Sequence, residues 1–362
     1  MLNRIILIAA SVLGATLLLA GCTKVLDPAQ EPMQTIGFNA GSSLLRDEND
    51  TKTASPLSES VHMGVFAYLK NGNVGAQGAP NKPNFMFNQD LEYNSSTGIY
   101  SYNPTRFWPS SDNKLSFWAY SPYVALPNLL VTNTNKVFTN NSSSLPDISV
   151  TVDGHTDYRV TNLVKNQTFS STNSGINGTV LLPFNHTLSL IDVKADKDDS
   201  SGHYTVTLKS VRFDGLYMSG LLRWNSSPNT WEWASQGGAR ENITVFTGNE
   251  DLVHNTPTLL TATPQTKLML LPQSLSDDAC RLHLEFTLSY TTHDDILNED
   301  VQHNIETSRD VYLRDAFSGL TDVTWLMNGH YTLTITIVPN KPILFTVTWS
   351  TWGDSHTYFL SN

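Results

Sequence analysis

The chain has 362 residues, with 22 Lys and Arg against 33 Asp and Glu, for a formal net charge of −11. Acidity of this size, without any local run of Lys or Arg, excludes the basic face that nucleic-acid phosphates require. Charged residues make up only 15% of the sequence while Thr, Ser and Asn abound, a balance that favours strands and turns over helices.

At the N-terminus, Arg4 precedes an apolar run from Ile5 to Ala20. The run is shorter than the ~20 residues of a membrane-spanning helix, so it reads as the h-region of an export signal. It closes on Leu19-Ala20-Gly21-Cys22, a pattern that resembles the bacterial lipobox. That resemblance implies cleavage before Cys22 and acylation of its thiol and of the new amino group, since stable anchoring takes more than one acyl chain. Thr23 rather than Asp at the next position implies the outer membrane. The other reading is an ordinary signal peptide that happens to contain a cysteine. Without residues 1–21, whose only charge is Arg4, there remain 341 residues with a net charge of −12, a length that predicts two domains. Cys22 and Cys280 are the only cysteines, so lipidation of the first leaves Cys280 without an intramolecular partner, as a small buried hydrophobe.

Residues 22–34 contain Pro28 and Pro32 and no apolar period, which predicts a tether. Thr35 to Ala40 gives a first short strand. Gly41 to Ser60 follows as a polar connection holding Arg46 and Lys52, open to proteolysis. Met63 to Leu69 is apolar almost throughout, as in a strand covered on both faces. After an Asn/Gly/Pro-rich loop come Phe107-Trp108-Pro109 and then Leu115 to Tyr123. In the latter run Leu115, Phe117 and Ala119 share one face and Ser116, Trp118 and Tyr120 the other, so both faces carry large groups. Ser170 to Gly178 is a low-complexity stretch that predicts a boundary between a first β-domain (35–178) and a second (179–362).

Beyond it, Tyr204 to Phe213 alternates with a bulge expected at Ser210, and Leu221 to Trp224 and Thr230 to Trp233 flank a hairpin turn. The last third alternates most regularly: Leu282, Leu284, Phe286, Leu288 and Tyr290; then Tyr331, Leu333, Ile335 and Ile337; then Ile343, Phe345, Val347 and Trp349. These are half-buried antiparallel strands, the last two joined through Pro339-Asn340-Lys341-Pro342. Only Asp310 to Leu326 predicts a short helix. The fold class is therefore all-β, and many short strands without a βαβ rhythm indicate sandwiches.

Four stretches carry a further likeness: Phe107-Trp108-Pro109 with Leu115 to Pro122; Phe184-Asn185-His186-Thr187-Leu188; Lys267 to Gln273; and Trp325 to Tyr331 running on to Trp349. In this order, behind a lipobox, the chain resembles the fimbrillin family of Bacteroidales, subunits of lipoprotein-derived pili. The resemblance implies two transthyretin-like Greek-key β-sandwiches in tandem and a surface lipoprotein of the outer membrane. It also implies removal of the N-terminal segment after Arg46 or Lys52 and assembly with other fimbrial subunits by donor-strand exchange for adhesion to a host or bacterial surface ligand. A strand lent by one subunit then fills the groove vacated in another. Tyr358, Phe359 and Leu360 are the candidate donor strand. Arg46 reads equally as an exposed loop charge, while the apolar end of the tail weighs against a frayed terminus; shaft, anchor and tip roles all stay open.

No His-Glu-x-x-His, Gly-x-Ser-x-Gly, P-loop or Cys-x-x-Cys motif occurs, so no enzyme, cofactor or metal is expected. His186 reads as a hydrogen-bonded structural histidine and His293-Asp294-Asp295 as a solvated turn. Asp196, Asp198 and Ser200 partly resemble a calcium loop, but Gly202 comes one place late and Thr207 stands where the bidentate Glu belongs. The eight tryptophans suggest an alternative, a non-polymerising surface glycan-binding lipoprotein, although most fall in core patterns. Replacing Cys22 with Ala should leave an unacylated precursor in the inner membrane. Fractionation with palmitate labelling checks this, and normal outer-membrane recovery of the variant would contradict it.

Overall fold

Alternation of apolar and polar side chains builds strands along most of the described residues. The computed structural model describes residues 33–40, 62–71, 83–94, 99–110, 112–125, 131–132, 145–225, 230–263, 267–352 and 358–360. Cys22, Arg46 and Lys52, together with residues 1–21 and most of the expected tether, lie outside the described residues.

The first half of the chain supplies β1 (Gly37–Ala40), β2 (His62–Asn71), β3 (Met86–Asn94), β4 (Ile99–Ser101), β5 (Asn113–Ser121), β6 (Val131–Thr132), β7 (Asp147–Thr151), β8 (Arg159–Thr161) and β9 (Val164–Gln167). Then come β10 (Thr179–Leu182), β11 (Phe184–His186), β12 (Ser189–Lys197), the long strands β13 (Thr205–Asn225) and β14 (Thr230–Asp251), and the short β15 (Thr258–Leu259) and β16 (Leu268–Leu270). A second long hairpin, β17 (Arg281–Asp294) with β18 (Glu299–Tyr312), precedes β19 (Gly329–Ile337), β20 (Leu344–Thr351) and β21 (Tyr358–Leu360). The all-β expectation holds. The helix expected over 310–326 is confined to Leu313–Ala316 and one 3₁₀ turn at Thr321–Val323. Its first residues are taken by the sheet instead, because Asp310, Val311 and Tyr312 pair with His283, Leu282 and Arg281 across the second hairpin. Nearer the end of the segment, Asp322 at φ 56 departs from helical geometry.

Strand order places β5 at the centre of a sheet that runs β11-β8-β5-β2-β3-β4, with β9 also on β5. One face of this sheet carries Met63, Val65, Ala67, Leu115, Phe117 and Ala119 into a smaller core with β1 and β10. The opposite face carries Phe66, Tyr68, Trp118 and Tyr120 into the larger core. That larger core is shared with the sheets β15-β12-β19-β20-β21, with β16 on β12, and β18-β17-β13-β7-β6, with β14 along β13. Period-two alternation thus lets one strand serve two cores. The Phe66 ring lies flat on Trp118 at 4.4 Å, and Trp118, Trp231 and Trp224 follow at successive centroid distances of 5.6 Å. The column joins the central sheet to the β13–β14 hairpin.

Pairing runs across the junction expected near residue 178 in both directions. β7 pairs with β13 (Ser149↔Leu221), while β10 and β11 pair with β1 and β8. The smaller core accordingly takes Val180, Leu182 and Phe184 from beyond residue 178, and the larger takes residues from Phe66 to Leu163 from before it. The low-complexity stretch is a surface excursion between two strands of the first half's own architecture. The bulge expected at Ser210 is present, as a register shift between Leu208 and Ser210 on both sides of β13.

Where the chain passes from β11 to β12 it is tied down by a buried ionic cluster. The His186 Nδ1 lies 3.0 Å from Asp157 Oδ1, the Arg159 Nε donates to the same carboxylate, and the Trp352 ring stacks on His186 at 3.7 Å with only 8° between the planes. Trp352 N also donates to Asn328 O at 2.7 Å. Burial by itself would raise the Asp157 carboxyl, but the adjoining His186 imidazole and Arg159 guanidinium outweigh it and hold the group below the usual carboxylate range. Asp157→Asn should therefore cost about 3–5 kcal/mol in denaturant unfolding near neutral pH, as for a buried pair deprived of one partner. Because the folded-state value is depressed, that advantage is present above the ordinary carboxyl pKa of about 4 and fades as pH falls through the lower folded value. A difference from the variant that stays undiminished at about pH 2 would refute the assignment.

Candidate functional site

The segment most suggestive of function is the first strand and the seat it occupies. Alternation over Thr35 to Ala40 turns Ile36, Phe38 and Ala40 inward, where they are 2%, 4% and 3% exposed, while Asn39 faces out. Among the described residues β1 has one ladder partner, the parallel strand β10, in the register Gly37↔Thr179, Phe38↔Val180, Asn39↔Leu181 and Ala40↔Leu182. Gly37 fits a close approach, since a Cβ there would lie 3.0 Å from Thr179 Oγ1 and the threonine side chain would have to give way.

Its lead-in is clamped by a short loop. Ile36 N donates to Arg106 O at 3.0 Å, Trp108 N to Gln34 O at 2.8 Å, and Gly37 N to Gly178 O at 2.8 Å. The Tyr102 hydroxyl donates to Ile36 O at 2.8 Å, and burial pushes that phenol up, so it remains a donor. Trp108 Nε1 donates to Gly178 O at 3.0 Å, which pins the residue preceding β10. The Phe38 ring meets Tyr102 and Phe117 edge-on, each at 5.6 Å.

Burial of Ile36 and Phe38 stabilises by about 1.5–3 kcal/mol each and the Ala40 methyl by about 0.8. The sum, roughly 4–7 kcal/mol, is comparable with the net stability of a typical domain, about 5–15 kcal/mol. Loss of β1 without replacement would therefore be close to intolerable for the smaller core. It would uncover Phe117, Val180, Leu182 and Tyr102 and strip β10 of the strand laddered to it. The chemistry of such a seat is β-augmentation: main-chain hydrogen bonds along β10 and sockets for alternate apolar side chains.

At the other end of the chain, the backbone of Tyr358, Phe359 and Leu360 forms β21, antiparallel on β20 with Trp349↔Tyr358, Thr348↔Phe359 and Val347↔Leu360. This is an edge position in its sheet. The candidate donor segment is thus extended and hydrogen-bonded to its own chain, far along the sequence from β1. Arg46 and Lys52 lie outside the described residues, between β1 and β2.

The remaining sequence candidates resolve into structural roles. His186 is the partner of Asp157 and Arg159, and His293 sits at the turn of the second hairpin, 2.9 Å from Asp300. In the stretch that partly resembles a calcium loop, Asp196 is buried within β12, and the Asp199 carboxylate accepts from Ser201 and from Tyr204 N as an ordinary turn. Among the described residues no group of His, Cys, Asp and Glu could hold a metal ion. Cys280 is buried, with its thiol beside Gly215 O and Arg240. None of the eight tryptophans is exposed, so they form no open stacking platform. Sequence reasoning missed Tyr102 and β10 as parts of the β1 seat. A parallel pairing across some 140 positions leaves no periodic trace, and a loop tyrosine carries no mark of its acceptor.

Comparison with known proteins gives concordant findings. The model of the family described as fimbrillin-like matches residues 51–352, from just after β1 to the end of β20. The fimbrium subunit Fim1C of Phocaeicola vulgatus is 26% identical over 251 residues, which cover 66% of this chain and 64% of that protein. The chain thus spans slightly less than two thirds of the length of this curated relative. Among solved structures, a fimbrial protein from Bacteroides vulgatus superposes with a TM-score of 0.61 at 20% identity, covering 88% of this chain and 99% of that one. A candidate cell adhesion protein from Bacteroides uniformis gives 0.52 at 13% identity, covering 90% and 99%. At those identities the two structures establish a shared fold. With a family match over most of its length and a fold held in common with these proteins, the chain belongs to the fimbrillin-like family.

Proposed function

We propose that this protein is a structural or anchoring subunit of a cell-surface fimbria that serves adhesion. In this reading Cys22 carries the lipid that holds it to the outer membrane, and its partners are other fimbrial subunits of the same or a related type. The observation that carries it is the mode of attachment of β1: a short apolar plug, laddered to one strand, and joined to the remainder through a polar connection that contains Arg46 and Lys52. Cleavage in that connection turns β1 from a covalent part of the fold into a bound peptide. Its seat can then be refilled by any extended segment with apolar residues at alternate positions. Family membership and the relative described as a fimbrium subunit support that use.

In this reading Tyr358, Phe359 and Leu360 are the donor strand, lent to the seat of the next subunit. A subunit that is never cut keeps β1 and can only end a filament, which is how one fold could serve either as shaft or as anchor. The closed β1 seat is then the regulated feature, and cleavage is the regulator.

The test uses the mature chain and limited trypsin. Cleavage after Arg46 or Lys52 should give heat-sensitive ladders on gels, and the Arg46→Ala/Lys52→Ala double variant should remain monomeric. An excess of synthetic peptide 34–40 should suppress the ladders by reoccupying the seat. If cut protein stays monomeric after the peptide has been washed away, or if the uncut double variant forms ladders equally well, strand exchange at this seat is wrong.

A further inference from the structure

A cleft of about 160 Å³ opens beside the edge strand β11, lined by Val160, Asn162, Asn185, Thr230 with Trp231, and the Met327-Asn328 turn. It lies apart from the β1 seat, and the residues that form it come from four separate stretches of chain. The side-chain amides of Asn162, Asn185 and Asn328 make no hydrogen bond to any described protein group. Singly, each would be an ordinary solvated amide. Together they present several donors and acceptors to one small volume beside the half-buried Met327, with Val160 and Trp231 buried beneath them at 2% and 3% exposed.

The cleft is also preorganised. Asn185 is laddered to Val160 within the central sheet, and Trp231 is fixed by its Nε1 donating to Thr161 O at 2.9 Å. Asn328 adopts the left-handed φ of 61°, its N–H donating to Leu188 O and its carbonyl accepting from Trp352 N, at 3.0 and 2.7 Å. Among the described residues no charged side chain lines the cleft, so an anionic or cationic ligand would find no counter-charge there. Each carboxamide offers two donors and an acceptor with two lone pairs, which complements groups that donate and accept at once. Few placed polar groups over an apolar floor is the usual make-up of a small-molecule site.

We propose that this cleft binds one neutral sugar residue, the terminal unit of a surface glycan, with its hydroxyls on the three carboxamides and a C–H face against Met327. The opening is small, about 160 Å³, which suits contact with a single ring and not the burial of an oligosaccharide. The site differs from the one suggested by the tryptophan content, because here Trp231 is buried and the asparagines do the recognising. It is independent of strand exchange, since the seat of β1 contributes nothing to it.

The test uses the uncut, monomeric mature chain with a panel of methyl glycosides of glucose, galactose, mannose, fucose and N-acetylglucosamine, read by saturation-transfer NMR and calorimetry. At least one should bind with a Kd on the order of 1 mM, as a lone ring with few contacts allows. Asn162→Ala/Asn185→Ala should weaken it about tenfold or more, and so should Asn328→Gly, which preserves the backbone conformation, all with unaltered thermal unfolding. The proposal is overturned if no member of the panel binds, if both variants bind as tightly as the parent, or if a charged glucuronide binds as well as its neutral counterpart. Ladder formation by the trypsin-cut chain reads the other proposal separately, so the failure of either leaves the other standing.

Discussion

The arrangement depends on one sheet being apolar on both of its faces. In β5 the side chains of Leu115, Phe117 and Ala119 point to one core and those of Trp118 and Tyr120 to the other. Truncating a buried aromatic such as Trp118 would cost about 3–5 kcal/mol, and the flat Phe66 stack on it adds to the stabilisation from area alone. The aromatic column holds the central sheet from the side away from β1. In the proposed exchange this division matters, because a subunit that has lost β1 must keep the shape of its groove. A sheet anchored only through the smaller core would collapse with its plug, whereas one gripped from behind by Trp118, Trp231 and Trp224 can wait for a replacement.

Polar detail is placed where it supports that division of labour. The passage between β11 and β12 is fixed by Thr187 N and Oγ1 donating to Tyr158 O, by Trp233 Nε1 donating to Thr187 O, and by Ser189 Oγ donating to Leu326 O. With His186 held between Asp157 and Trp352, the strand that follows the β1 partner is tied to the end of β20. Buried polar contacts contribute modestly as net stability but penalise any arrangement that leaves them unmet, so they fix the register of the joint more than they strengthen it.

Most of the scaffold was legible because alternation reports burial directly. Leu282 to Tyr290, Tyr331 to Ile337 and the two-faced Leu115 to Tyr120 all became strands with the faces their patterns assign. The bulge at Ser210 showed as a slip in apolar phase. The features that escaped were set by pairing and not by pattern. β18 reads as Glu-Asp-Val-Gln-His-Asn, with little apolar content, and is a strand because β17 offers fourteen partners in register. The expected helix lost its first turn to the same ladder. The boundary near 178 rested on composition, which marks a surface loop but says nothing of which sheet the flanking strands join; β7 and β10 each cross it. Of the β1 seat, the plug was visible in Ile36, Phe38 and Ala40, but its floor was not, since Val180 and Leu182 come from a distant segment.

The relative ease of freeing the two chain ends gives the proposed exchange an order. β21 is tied to β20 through three paired positions at a sheet edge, and main-chain hydrogen bonds contribute only about 0.5–1.5 kcal/mol each once exchanged with water. β1, by contrast, holds two large side chains and a methyl in a closed core, worth roughly 4–7 kcal/mol beyond its own ladder. In the proposed exchange the tail leaves its own sheet while β1 is still seated, so an extended donor is on offer before any groove exists. In that proposal the scarce species is the empty seat, and its appearance is controlled by whether the connection bearing Arg46 and Lys52 has been cut. Assembly limited in this way would not start spontaneously among uncut subunits however many free tails they display, because each tail meets only occupied grooves.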